Sequence, residues 1–116
     1  MVSAVKAATK QGVSEVARKT KEREELKGLS ADAQEVFHLI GSKERYSAFI
    51  GLTFVQIVEF LPRQRGKVVP EKDMPALENS ILDALAELGA AGFVSSEQRN
   101  GNVIMFLTDK GDKAFV

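Results

Sequence analysis

ILDALAELGAAGFVSSEQRNGNVIMFLTDKGDKAFV, residues 81–116, is the stretch whose reading decides the fold. Its first part repeats apolar residues at helical spacing (Ile81, Ala84, Leu85, Leu88) and runs into two breakers, Gly89 and Gly92. Phe93 and Val94 then open a strand. Arg99-Asn100-Gly101-Asn102 is a polar tip, and Asn100-Gly101 is the strongest local hairpin signal in the chain, because both residue types tolerate positive φ. On the return, Val103, Met105 and Leu107 alternate with Ile104 and Phe106. Both faces of that strand are apolar, so it is expected to be largely covered. Thr108 caps a last helical turn toward Phe115. The order is helix, hairpin, short helix.

Working upstream, the helix that enters this segment is expected to have Asp73 as its cap and Pro75 in its first turn, with Leu77, Ile81, Ala84, Leu85 and Leu88 facing inward. Before it, Arg63–Lys72 reads as a basic loop. Arg63, Arg65, Lys67 and Lys72 stand against Glu71 alone, Gly66 and Pro70 shape the chain, and Val68 and Val69 anchor it. Thr53 caps an earlier helix in which Phe54, Ile57, Val58 and Leu61 share a face and which Pro62 stops or kinks. Tyr46, Ala48 and Ile50 alternate with neighbours in a way that suggests a short strand, the third of a small sheet; a continuous helix from Ser42 is the rival. Ser30 is a good N-cap with Leu29 as a hydrophobic staple, and Ala33, Val36, Phe37 and Ile40 then lie on one face of a helix ended by Gly41. His38 lies beside that face as an ordinary surface or boundary residue.

Residues 1–28 differ from the rest. Alanine, lysine and glutamate dominate, large apolar side chains are few (Val13, Val16, Leu26), and Ser14–Lys27 favours helix with Glu15–Lys19 and Lys21–Glu25 pairs one turn apart. This segment is expected to be a charged arm or exposed helix, with nucleic-acid contact or dimerisation as alternatives. Residues 29–116 are expected to form the folded domain.

Composition limits the function. A chain of 116 residues makes about one domain. It has no cysteine and one histidine, so neither a disulfide scaffold nor a thiolate metal site can form. No glycine-rich phosphate loop follows a strand, no nucleophile triad can be built around His38, and the carboxylates show no metal-loop spacing. The expectation is no enzyme, no metal and no cofactor. No apolar run reaches the roughly 20 residues that span a bilayer, and no secretion signal is evident, so a cytoplasmic protein without membrane contact is expected. Sixteen basic and sixteen acidic residues cancel. Residues 1–27 hold seven basic against four acidic ones, and the remainder nine against twelve. Duplex binding by the acidic remainder would therefore need a local basic patch or the N-terminal arm.

Leu85, Leu88, Gly89, Phe93 and Val94, followed by the LT.KG ending of Leu107, Thr108, Lys110 and Gly111, resemble the winged helix-turn-helix superfamily, especially MarR-like and PadR-like transcriptional regulators. The resemblance covers about Leu29 to Val116. It implies an α+β winged helix-turn-helix of three core helices and a small antiparallel sheet, with an N-terminal helical arm added. Thr53–Leu61 would be the first helix of the helix-turn-helix and the helix from Pro75 the recognition helix. The connection between them spans about a dozen residues, longer than the usual turn, and sets a basic loop beside the groove-reading element.

Periodicity puts Ala76, Asn79, Asp83 and Ala86 on the outer face of that helix, with Ser80 at its edge. Asn79 can read adenine through two bonds and Ser80 can bond a base or a phosphate. No arginine points from the helix. Phosphate contacts are expected from Arg63, Arg65, Lys67 and Lys72 in the loop, from Arg99 with Asn100 and Asn102 at the wing tip, and from Lys110 near the wing base. The expected function is a small DNA-binding regulator acting as a homodimer on double-stranded DNA. The alternative is a winged-helix module that docks on protein within a larger replication, transcription or membrane-remodelling assembly, through Asp83, Glu87 and the N-terminal helix. Changing Arg63 and Arg65 together to alanine is expected to weaken duplex binding without unfolding, and Leu85→Ala to cost about 2–5 kcal/mol as a core truncation.

Overall fold

Side-chain caps start three of the helices. The Ser30 hydroxyl accepts from the Ala33 amide at 3.1 Å and the Thr108 hydroxyl from the Gly111 amide at 3.1 Å. Thr53 and Gln56 form a reciprocal capping box, with bonds of 3.2 and 2.9 Å. Each such cap stabilises its helix by about 1 kcal/mol. The computed structural model describes residues 21–115. Residues 21–27 are helical. They are followed by α1 (Ala31–Tyr46), β1 (Leu52–Thr53), α2 (Phe54–Gln64), a 3-10 turn (Glu71–Asp73), α3 (Met74–Ala90), β2 (Val94–Arg99), β3 (Asn102–Leu107) and α4 (Asp109–Ala114). The architecture is α+β, with a three-stranded antiparallel sheet in the order β1-β3-β2.

Helix α1 passes straight through Gly41, which was expected to end it. A Cβ on Gly41 would lie 2.5 Å from the Phe115 ring, so this glycine admits a close approach from the C-terminal end of the chain. The helix continues to Tyr46, as the helical alternative for Ser42 onward has it. Tyr46–Ile50 is not a strand: Ala48 takes a positive φ of 56°. The third strand forms just after it, where Leu52 pairs with Met105 and Thr53 with Ile104.

In α2, Ile57 and Leu61 are fully buried and Phe54 and Val58 partly so. Pro62 neither stops nor ends this helix, which runs on to Gln64. It lies in the last turn, where the missing amide removes a single intrahelical bond. Asp73 precedes α3 but makes no side-chain cap, because the 3-10 turn carries it into the helix in helical rather than extended conformation. Leu77, Ile81, Ala84 and Leu88 are buried as expected; Leu85 is only half-buried. The helix ends at Ala90. Gly92 adopts φ +84°, the Phe93 amide donates to the Leu88 carbonyl at 3.0 Å, and the Gly92 amide donates to that of Gly89 at 3.1 Å. These two bonds form a Schellman motif that turns the chain into β2.

The hairpin forms as read. Register runs from Val94↔Leu107 to Arg99↔Asn102, leaving the two-residue loop Asn100-Gly101 with φ of +51° and +81°. The middle strand is β3. Met105 and Leu107 are buried on its inner face, while Ile104 and Phe106 are half-buried on the other. Phe93 is fully buried against the edge of Phe37, 5.9 Å between ring centres, and Phe37 also meets Phe115 at 6.1 Å. Among the described residues the buried core holds no polar or charged side chain.

The part of the arm that is described does not project freely. Leu26 packs on the core, and Glu25 pairs with Lys110 at 2.6 Å rather than with Lys21. The Glu15–Lys19 pair and the expectations for residues 1–20 lie outside the described residues. No helix among those described is long and apolar enough to cross a membrane.

Candidate functional site

Helix α3 presents Ala76, Asn79, Asp83 and Ala86 outward, as its periodicity requires. Glu78 and Leu82 are exposed with them, Leu82 at 52%. No lysine or arginine lies anywhere in Met74–Ala90. Ser80 is half-buried, and its hydroxyl donates back to the Leu77 carbonyl at 2.7 Å. That bond leaves only acceptor capacity on Ser80 Oγ.

The basic loop divides into two kinds of cation. Lys67 and Lys72 are exposed, and neither has a carboxylate within 4 Å among the described residues. Arg63 belongs to the end of α2 and pairs across one turn with Glu59 at 3.2 Å, both well exposed. Arg65 is different. Its guanidinium is engaged by Glu35 and, at 3.0 Å, by Asp32, and its side chain is only 24% exposed. It ties the end of α2 to the first turns of α1, as does Gln64, which donates to the Glu35 carbonyl at 3.1 Å. Val68, expected to anchor the loop, is 96% exposed; Val69 alone packs against the core.

At the hairpin, Arg99 pairs with Glu97 at 3.1 Å on the same face of β2, with half of each side chain exposed. Asn100 and Asn102 flank the tip and are exposed. Lys110 is committed elsewhere. Its ammonium donates to the Ala91 carbonyl at 2.8 Å, meets Glu25 at 2.6 Å and sits 4.7 Å above the Phe93 ring. It closes the end of α3 and holds the N-terminal helical residues against it. The Lys110 hydrogen bond keeps the Glu25 carboxyl below its ordinary range.

Two carboxylates have structural partners that the sequence did not reveal. Glu87, expected on a docking surface, accepts from the Ser30 hydroxyl at 2.6 Å and the Ser30 amide at 3.0 Å, joining α3 to the cap of α1. These bonds lower its pKa. Glu44 accepts from the Leu107 amide at 3.2 Å, and burial raises its pKa against that bond. Each partner lies more than fifty residues away in sequence, beyond any local pattern.

Between α3 and the hairpin lies an open groove of about 430 Å³, lined by Leu85, Ala86, Val94, Val103 and Met105 among others. Val103 is 53% exposed. Among the described residues no three histidine, aspartate or glutamate side chains gather as metal ligands.

Arg63, Lys67, Lys72 and Arg99 thus remain exposed, the first three before α3 in the chain and Arg99 after it, while Arg65 and Lys110 are held in structural contacts. No protein-family model matches the chain, and no curated protein matches it.

Proposed function

We propose that this is a winged helix-turn-helix protein of the kind found in MarR-like and PadR-like regulators, a cytoplasmic transcriptional regulator that binds duplex DNA as a homodimer. The observation that carries the reading is that exposed cations flank α3 in the chain. Lys67 and Lys72 stand on the loop entering the helix, and Arg99 stands near the tip of the hairpin that follows it. The strand order β1-β3-β2 and the two-residue hairpin are compatible with a winged helix.

In this reading α3 enters the major groove. Asn79 meets a base edge, Ser80 accepts from a base amine, and the cations rest on phosphates. Arg99 exchanges Glu97 for phosphate at small expense, since an exposed pair is worth about 0–1 kcal/mol. Glu78 and Asp83 oppose the backbone, so affinity is modest and sequence discrimination slight. Fluorescence polarisation on a mixed-sequence duplex of about 25 base pairs tests this, with binding expected at about 50 mM salt and much weaker binding at about 200 mM. Absence of binding at low salt would reject it.

A second reading is favoured by one observation. The groove between α3 and the hairpin has no cation in its lining; Val103 in that lining and Leu82, one helical turn before Leu85 and Ala86, stand half-exposed. A module that docks on protein through this groove, with Asp83 at its edge, would leave duplex DNA unbound in the same assay.

A further inference from the structure

A second groove, of about 410 Å³, lies between the C-terminal half of α1 and the last turns of α2. Leu39, Ser42, Lys43 and Tyr46 share one face of α1 and form one wall; Phe60 and Arg63 stand on the other. Tyr46 is 75% exposed, unusual for a large aromatic side chain in a domain whose other rings are mostly covered. Phe49 meets Phe60 edge-on at 6.1 Å. Among the described residues the Lys43 ammonium has no carboxylate within 4 Å. It lies over the Phe60 ring at 4.4 Å and the Phe49 ring at 5.8 Å. Arg63 is paired with the exposed Glu59.

We propose that this groove docks an acidic amphipathic helix of a partner protein. From Leu39 to Tyr46 the wall is about 10 Å long, enough for two turns of a bound helix. Apolar side chains one turn apart on that helix fill the space between Tyr46 and Phe60, and its flanking carboxylates meet Lys43 and Arg63. The charges argue against a second copy of this chain, because a two-fold contact through the same patch brings Lys43 and Arg63 toward their own equivalents. The proposal stands independently of the nucleic-acid reading, which rests on α3, Lys67, Lys72 and Arg99.

The probe is a labelled peptide of about 15 residues with leucines at i, i+4 and i+7 and glutamates on the other face, beside a control in which lysine replaces each glutamate. With the full chain, polarisation should show saturable binding of the acidic peptide and none of the control. Tyr46→Ser should weaken binding about tenfold or more, with melting temperature and duplex binding unchanged; Lys43→Gln, which gives up its place over the Phe60 ring, should weaken binding while lowering the melting temperature by a few degrees at most. Equal binding of both peptides, indifference to the two substitutions, or no binding at about 1 mM would overturn the proposal. So would sedimentation showing that Tyr46→Ser turns a dimer into a monomer, since the groove would then be a self-contact.

Discussion

Arg63 and Arg65 lie two residues apart and do different work. Arg65 satisfies Glu35 and Asp32 at a half-buried corner, whereas Arg63 holds an exposed neighbour on its own helix. Arg65→Ala should therefore destabilise the fold by about 1–3 kcal/mol in urea melts, and Arg63→Ala by less than about 0.5 kcal/mol. An equal cost for the two would show that the Arg65 bridge does not hold the fold. The expected clean effect of changing both together on duplex binding is lost, because the pair mixes a tether with a surface charge. Composition and spacing exposed the basic run, but not the two acids on α1 that neutralise Arg65 within it.

Glu87 supplies a pH prediction at the same scale. Its folded pKa lies below the ordinary value of 4.5 because both Ser30 donors favour the carboxylate. The folded state thus holds that proton less well than the unfolded state. Its stabilisation is fully present above pH 4.5 and is lost as pH falls through the depressed folded value. Glu87→Gln should melt at a lower temperature than wild type at pH 7, with the gap closing below pH 4.5. A gap that persists undiminished in acid would assign the loss to shape rather than charge. Glu44 acts with the opposite sign. Its pKa is raised mainly by burial, so its contribution improves as pH falls and it protonates.

At the scale of elements, what was legible was local. The Thr53, Ser30 and Thr108 caps, the inward stripe of α3 and the Asn100-Gly101 turn each depend on residues within one turn or one loop, and Gln56, which completes the box at Thr53, was not read. Gly41 was illegible because the reason for it, the Phe115 ring, comes from the far end of the chain. The third strand was foreseen but set a few residues early, since alternation in Tyr46–Ile50 looks the same whether or not a partner strand is in register. Two substitutions test these assignments by chemical melts. Gly41→Ala should cost about 1–3 kcal/mol by forcing its methyl into Phe115. Leu85→Ala should cost about 1 kcal/mol, less than a core truncation, because Leu85 borders an open groove; Ile81→Ala, fully buried, should cost about 2–5 kcal/mol. If Leu85 proved as costly as Ile81, the groove beside α3 would not be open in solution.

For the whole molecule, the balance of charge matters more than its total. The chain is neutral, and two of its cations, Arg65 and Lys110, serve carboxylates within the fold. The exposed positive charge that flanks α3 in the chain sits on the loop before that helix and the hairpin after it. That distribution makes phosphate contact the main source of affinity in the proposed duplex binding and leaves base reading to Asn79 and Ser80. The basic loop and the hairpin tip are legible in the sequence, but Lys67 and Lys72 look there no different from Arg65 and Lys110. The difference depends on which carboxylates the fold brings within reach.

The most direct measurement is the salt dependence of duplex binding by wild type and by a variant with Lys67, Lys72 and Arg99 all changed to alanine. Phosphate contact by all three predicts a log–log slope shallower by about three units in the variant, with its melting temperature preserved. An unchanged slope would contradict the account.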